Sequence, residues 1–240
     1  DHCVTGVQTC ALPISYDSPA QSGITRSFAR GVELNGRMLL IGGFASDGTR
    51  LDTVEEYDPD ANSWRFLAPL PEGSAAMGVA ALNGRVYAFG GQANGFVSSR
   101  HDVYDPITDS WSPLAPLPIP VLGQVAFAVG RKVYCAAGVD ASSADLNTVF
   151  AYDPERDHWE RESDFWGAVR APAAAVIGSR VYAAGGIAGI KVLNELFERS
   201  FPEPYYLHAK ALSPGESGRL RAMPTNTGSV QLRFARATSA

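Results

Sequence analysis

The chain has 240 residues, of which 45% are hydrophobic and 19% are charged, as is typical of a globular protein. Its net charge of -5 argues against nucleic-acid binding, which usually requires a basic face. No apolar run approaches the ~20 residues that a membrane-spanning helix needs. The 24 glycines and 16 prolines favour a fold of many short strands joined by turns.

The first residues are treated separately. Residues 4–14, VTGVQTCALPI, resemble the conceptual translation of a sequencing-adapter oligonucleotide. We therefore interpret residues 1–16 as artefactual or disordered and exclude them from fold reasoning; an ordinary flexible N-terminus is the alternative. Cys3 lies just outside the match and Cys10 inside it, so only Cys135 is securely natural. One cysteine predicts no internal disulfide, which leaves the redox compartment open.

Three sequence markers then recur with one period along the chain. The second residue of a glycine pair recurs at Gly43, Gly91, Gly138 and Gly186, at spacings of 48, 47 and 48 residues. The other two markers, at spacings of 47 and 48, are the tyrosine of a Tyr-Asp-Pro segment (Tyr57, Tyr104, Tyr152) and a tryptophan (Trp64, Trp111, Trp159). Because three independent markers keep the same period, we infer an internal structural repeat.

The second repeat shows how each unit is predicted to fold. Residues 77–82 are small and apolar, and Asn83-Gly84 favours a two-residue hairpin turn. Residues 85–91 alternate in strand fashion, and residues 101–105 form a third strand that Asp105-Pro106 ends. Residues 110–117 complete a unit of four antiparallel strands.

A four-stranded sheet has two faces to cover, and stacking copies around an axis covers both. We therefore predict an all-β fold, a partial β-propeller of three and a half to four blades within residues 17–206. The predicted blades are residues 28–72, 73–119, 120–168 and 169–206. Small first-strand residues would lie at the crowded inner end, and the three tryptophans would fill the wider gap between sheets. The glycine pairs Gly42-Gly43, Gly90-Gly91 and Gly185-Gly186 would allow close backbone approach. In the third repeat Ala137 replaces the first glycine and Gly138 keeps the second.

The glycine pair, Tyr-Asp-Pro and tryptophan at these spacings resemble the kelch repeat over about residues 28–198. The resemblance implies a propeller that closes with six or seven blades, so we expect a fragment; a partner that supplies the remaining blades is the alternative. The fourth repeat departs from the pattern, since residues 199–201 stand where Tyr-Asp-Pro should be. For the poorly defined tail, 207–240, a natural extension and a frame-shifted translation both remain open.

Loop length points to the face that binds ligands. In such a blade, connections 1–2 and 3–4 share one face, here the tight-turn face. The other, the long-loop face, carries loops 44–53, 92–100 and 139–147 and linkers 68–76 and 163–171. Arg50, Arg100 and Arg170 lie there and could bind carboxylates of a peptide or an acidic sugar. Solvated loop arginines are the alternative, and Trp166 would either stack on a ligand or fill space between blades.

Other candidate chemistry is weaker. Asp58, Asp60 and Asn62 are spaced like the start of a calcium loop, but that loop's later ligands are missing and a turn explains them better. Glu55 and Glu56 are adjacent on a strand and point to opposite faces, so they are not an acid–base pair. The four histidines show no metal-ligand spacing. We predict no catalytic residue, no metal and no cofactor.

The resemblance implies a kelch-repeat binding module that recognises a protein or peptide through the long-loop face, with no nucleic acid and no membrane span. An acidic carbohydrate is the second candidate ligand. The alternative function is a fragment of a kelch-type sugar-processing enzyme such as a sialic-acid mutarotase, with Arg50, Arg100 and Glu33 as members of its site. A copper oxidase similar to galactose oxidase is set aside because Cys135 has no histidine cluster nearby in the sequence.

Overall fold

The computed structural model describes residues 20–165, 167–194 and 196–200. In that part of the chain all regular elements are β-strands. The described residues therefore contain no helix that could span a membrane. The predictions for residues 1–16 and for the tail 207–240 lie outside the described residues, as does Trp166.

The first two sheets each contain four antiparallel strands in chain order. The first is formed by β1 (Arg30–Leu34), β2 (Arg37–Ile41), β3 (Val54–Asp58) and β4 (Ser63–Leu67). After the short strand β5 (Ser74–Ala75), the second is formed by β6 (Gly78–Leu82), β7 (Arg85–Phe89), β10 (His101–Asp105) and β11 (Ser110–Pro113). Between β7 and β10, the strands β8 (Gln92–Ala93) and β9 (Phe96–Val97) form a small sheet with β5.

The third sheet also has four strands, and the fourth has three within the described residues. The third is formed by β12 (Val125–Val129), β13 (Lys132–Ala136), β14 (Val149–Asp153) and β15 (His158–Glu162). The fourth is formed by β16 (Ala173–Ile177), β17 (Arg180–Ala184) and β20 (Leu196–Ser200), with the hairpin β18 (Ile187–Ala188) and β19 (Lys191–Val192) in its loop.

The hydrophobic core is divided into layers between successive sheets. One cluster joins the first and second sheets, another the second and third, and another the third and fourth. The first strands β1, β6, β12 and β16 pack against one another in that order. The second and third sheets therefore pack between neighbours on both faces and the first and fourth sheets on one, and the prediction of a partial β-propeller of about four blades is confirmed.

The turns between first and second strands differ between repeats because their residues differ. Asn35-Gly36 and Asn83-Gly84 have positive φ at both central positions, as a type I′ turn requires. In the third and fourth repeats, Gly130 and Gly178 have positive φ whereas the residues after them do not, as in a type II′ turn. Both turn types match strand twist, so the repeats keep the same hairpin despite the change in sequence.

The glycine pair lies where one sheet meets the linker to the next. The Gly91 N–H donates to the Val121 carbonyl at 2.7 Å. A Cβ on Gly90 would lie 2.5 Å from the same carbonyl oxygen, and Gly90 has φ 65°. In the fourth repeat, where no fifth sheet is described, a Cβ on Gly185 (φ 68°) would come no closer than 3.6 Å to another atom. The pair thus permits backbone contact between neighbouring sheets.

Gly90→Ala and Gly185→Ala form a matched test of this close approach. Both place alanine at nearly the same positive φ, which costs about 1 kcal/mol. Only Gly90→Ala adds collisions, with the Val121 carbonyl and with Gln124 Nε2, each 2.5 Å from the added Cβ, so we expect it to lower the free energy of unfolding by about 1–3 kcal/mol more than Gly185→Ala. Ala137 (φ 61°) holds the same position in the third repeat, where the next linker has Pro172 in place of Gln124. Urea denaturation measures the difference; equal losses would contradict the packing explanation.

A hydrogen-bonded clamp recurs at the junctions between sheets. Asp109 Oδ1 accepts hydrogen bonds from the Tyr104 hydroxyl at 2.8 Å and from the Ala68 N–H of the preceding linker at 2.9 Å. The Trp111 Nε1–H donates to the Ala68 carbonyl at 3.0 Å. The same arrangement is formed by Asp157, Tyr152 and Trp159 on Ala115, and by Asn62, Tyr57 and Trp64 on Ala20. Each of the first three sheets therefore holds both backbone groups of one preceding residue.

Asp109→Gly tests the clamp, because glycine accepts the φ of 46° at this position but removes the acceptor oxygen. Loss of the bonds to Tyr104 and Ala68 should lower the free energy of unfolding by about 1–3 kcal/mol. Asp109→Asn is the matched control, because Asn62 performs the same role in the first repeat. The Asn variant should retain nearly all the stability in chemical denaturation. An equal loss in both variants would show that the acceptor oxygen at this position does not stabilise the fold.

The two ends of the arc expose apolar surface. In the fourth sheet Ile177 is 67% and Leu196 70% exposed, and all five residues of β16 are exposed. In the first sheet Phe66 is 62% exposed.

Arg199, which replaces the repeat tyrosine, donates to the Ser163 carbonyl at 3.0 Å. Ser163 is the linker residue equivalent to Ala68 and Ala115, so a contact with the linker persists without the usual residues.

Candidate functional site

The long-loop face combines segments from neighbouring repeats. A cleft of about 470 Å³ is lined by the first repeat's loop, the following linker and the second repeat's loop. Its lining residues are Asp47, Gly48, Thr49, Arg50, Gly73 and Asn94. The cleft therefore lies between the loops of the first two repeats, and the sheets that carry these loops fix their positions.

Arg50 occupies the cleft without a carboxylate partner. Its Nη2 donates to Gln92 Oε1 in the second repeat at 3.0 Å, and its guanidinium lies 5.5 Å from the centre of the Phe44 ring. Its Nε is buried with no hydrogen-bond partner. Among the described residues no Asp or Glu forms an ion pair with Arg50. The guanidinium is therefore half-buried, oriented and electrostatically uncompensated.

Arg100 is compensated within its own repeat. Its Nη2 donates to Asp102 Oδ1 at 3.0 Å, and its Nη1 lies 3.9 Å from Glu72 Oε2. The hydrogen bond to the Asp102 carboxylate raises the pKa of Arg100. Arg100 and Asp102 line a separate cavity of about 20 Å³, not the cleft that contains Arg50.

Arg170 is compensated by the neighbouring repeat. Its Nη1 donates to Asp145 Oδ1 at 3.0 Å and its Nη2 to the Gly189 carbonyl at 2.9 Å. Asp145 Oδ2 accepts the Gly189 N–H at 2.6 Å. The three predicted arginines thus occupy different positions within their repeats, and among the described residues each has its own set of partners.

The other sequence candidates also have local partners. Glu33 accepts the Gly36 N–H at 2.7 Å in the first hairpin turn, on the tight-turn face and away from Arg50 and Arg100. Asp58 Oδ1 accepts the N–H groups of Asp60 and Ala61 at 3.0 and 3.2 Å, which is a turn. Within the described residues no three His, Cys, Asp or Glu side chains group as metal ligands. Burial raises the pKa of the Cys135 thiol, which makes it unreactive.

Sequence reasoning missed a buried ion pair in the first repeat. Glu55 is 1% exposed and pairs with Arg26, while Ser22 Oγ and the Gly23 N–H donate to it at 2.8 and 3.1 Å. Arg26 also donates to the Gly42 carbonyl at 3.1 Å. The sequence did contain a signal for this pair. The third repeat has the apolar Phe150 at the position of Glu55, so an acidic residue there needs a partner.

His101 is a second buried group that the sequence did not reveal. It is 1% exposed and lies between the second and third sheets, within 6.0 Å of the ring centres of Tyr87, Phe89, Tyr152 and Trp159. Its Nδ1 lies 3.0 Å from the Ala115 carbonyl, so Nδ1 carries the proton and the buried Nε2 has no partner. Burial lowers the pKa of His101 to about 4, although the Ala115 carbonyl and Asp157 oppose the shift.

His101 should make stability depend on pH. The unfolded imidazole binds a proton below its ordinary pKa of 6.5, whereas the folded one does so only near pH 4. Stability is therefore complete above pH 6.5 and falls as the pH drops, by about 2 kcal/mol between pH 7 and pH 5. The control is His101→Val, because Val54 and Val149 hold the equivalent position. Urea denaturation at both pH values should show a loss in the parent that the valine variant lacks; parallel losses would contradict this assignment.

Comparison with known proteins identifies the repeat. The family model described as "Kelch motif" matches residues 25–71, 74–118 and 121–165, which is more than half of the chain. These matches coincide with the first three sheets and their preceding linkers.

Individual relatives match shorter stretches. Mouse Kelch-like protein 35 is 46% identical over 61 residues, which cover 25% of this chain and 10% of that protein. An F-box/kelch-repeat protein of Arabidopsis thaliana is 36% identical over 62 residues, 26% of this chain and 16% of that protein. The mouse influenza virus NS1A-binding protein homolog is 37% identical over 79 residues, 33% of this chain and 11% of that protein. The chain therefore matches only a small part of the length of these relatives.

Proposed function

The chain belongs to the kelch-repeat family, and on that premise we propose that it is a protein-interaction module which binds a protein or peptide through its long-loop face. The observation that carries the proposal is the cleft of about 470 Å³ between the loops of the first two repeats. The tight-turn face has two-residue turns between first and second strands and four-residue turns between third and fourth strands, so its loops are shorter than those of the long-loop face.

The chemistry of the cleft supports a peptide ligand. Its lining combines a guanidinium, a carboxylate, an amide and the backbone of Gly48 and Gly73, groups that pair with peptide backbone and side chains. The name of one relative, an influenza virus NS1A-binding protein homolog, records binding to a protein for that relative. Protein binding is accordingly the activity we extend to this chain.

Two glycines allow a matched test of which face binds. Gly48 on the long-loop face and Gly36 on the tight-turn face have φ of 82° and 79°, and a Cβ on either would meet nothing within 4 Å. Tryptophan at either position causes similar backbone strain, but only Gly48→Trp fills the cleft. Peptides selected from a random phage-displayed library on the parent chain should bind Gly48→Trp at least about tenfold more weakly and Gly36→Trp unchanged.

The measurement is fluorescence anisotropy with synthetic copies of the selected peptides. Circular dichroism of both variants confirms that each is folded. Loss of binding in Gly36→Trp but not in Gly48→Trp would place the site on the opposite face and overturn the proposal.

A further inference from the structure

We infer that the Arg50 guanidinium is the subsite for a single acidic side chain of the bound peptide; this inference rests on the proposed function of the long-loop face. Arg100 and Arg170 already bind Asp102 and Asp145. Arg50 donates only to the neutral Gln92 amide, and its Nη1 has no hydrogen-bond partner in the part of the chain that the structure describes. It is thus the predicted arginine with binding capacity left for a ligand.

The surroundings of Arg50 strengthen a contact with a carboxylate. The Phe44 ring and the bond to Gln92 fix the guanidinium plane, which lowers the entropy lost when a ligand binds. Its Nε is removed from water without a compensating bond among the described residues, so this part of the guanidinium is desolvated before a ligand binds. Charge-assisted hydrogen bonds from such a group are stronger than those from a freely hydrated arginine.

The third repeat contains an internal example of the same contact. Asp145 pairs with Val139 as Arg50 pairs with Phe44, so the two residues occupy equivalent positions. Between the third and fourth sheets, the Asp145 carboxylate binds the Arg170 guanidinium and the Gly189 N–H. The long-loop face therefore accommodates a carboxylate–guanidinium pair at this depth. At the equivalent position between the first and second sheets, Arg50 has no carboxylate partner among the described residues.

Acidic groups around the cleft restrict what the ligand can be. The Asp47 carboxylate lines the cleft, and its Oδ1 accepts the Thr49 N–H at 2.8 Å. Asn94 donates to Glu72 beside it. These two carboxylates would repel a run of acidic residues. We therefore expect one Asp or Glu in the peptide, flanked by neutral or basic residues.

A double-mutant cycle tests the pairing with the peptides selected above. Each acidic residue of a selected peptide is replaced in turn by its amide, Glu by Gln or Asp by Asn. One replacement should weaken binding to the parent chain about tenfold and leave binding to Arg50→Gln unchanged. Arg85→Gln is the control, because Arg85 pairs with Asp105 on the tight-turn face; it should show the same tenfold loss as the parent.

A second variant keeps the test independent of the folding of Arg50→Gln. Asp47→Asn removes the like charge from the cleft and should tighten binding of the acidic peptide several-fold, with no effect on its amide analogue. If no acidic residue matters, or if its effect persists in Arg50→Gln, the inference is wrong, while sensitivity to Gly48→Trp still upholds the proposed function. If the library yields no binder, both are wrong. Arg50-dependent binding of glucuronate without any acidic-peptide dependence would also overturn the inference.

Discussion

The capture of one linker residue by the next sheet is the interaction on which the arc depends. Ala68 and Ala115 each present an N–H and a carbonyl that the following sheet holds through an aspartate and a tryptophan. Together with the glycine N–H that bonds the next linker, these contacts fix the radial position of each sheet. The apolar layers supply most of the burial, but they are non-directional. The hydrogen bonds determine which surfaces of adjacent sheets meet, and so where the long loops stand.

The period of the sequence was sufficient to predict the sheets because each marker has a structural role that repeats. The tryptophans and tyrosines recur because each one forms a hydrogen bond within the clamp. The glycines of the second repeat are required because a Cβ at either position would collide with backbone atoms. Asn62, Asp109 and Asp157 follow the same period and could have been identified with them. Their role was not apparent because Asx residues are also ordinary turn residues, and the sequence does not show that their oxygens reach the preceding linker.

The candidate site was harder to predict for a physical reason. Loop position identified Arg50, Arg100 and Arg170 as a group, but their electrostatic state depends on neighbours that do not follow the period. Asp102 is two residues from Arg100, whereas Asp145 reaches Arg170 from the preceding repeat. His101 takes a position where the first and third repeats have valine, and its environment is formed by rings from two sheets. Sequence symmetry predicts positions in the fold; the pairing of charges at those positions requires coordinates.

Several positions at which the repeats differ follow one trend: the first two repeats have polar residues where the third has apolar ones. Arg26 and Ser74 hold equivalent linker positions in the first two repeats, where the third repeat has Val121; Glu55 and Asp102 likewise correspond to Phe150. Buried polar groups cost stability unless they are paired, and apolar residues at these sites show that the fold does not need them. The polar substitutions lie in the same two repeats whose loops form the cleft around Arg50. Glu55 and Asp102 are each paired with an arginine within the fold, whereas Arg50 donates to the neutral Gln92 amide.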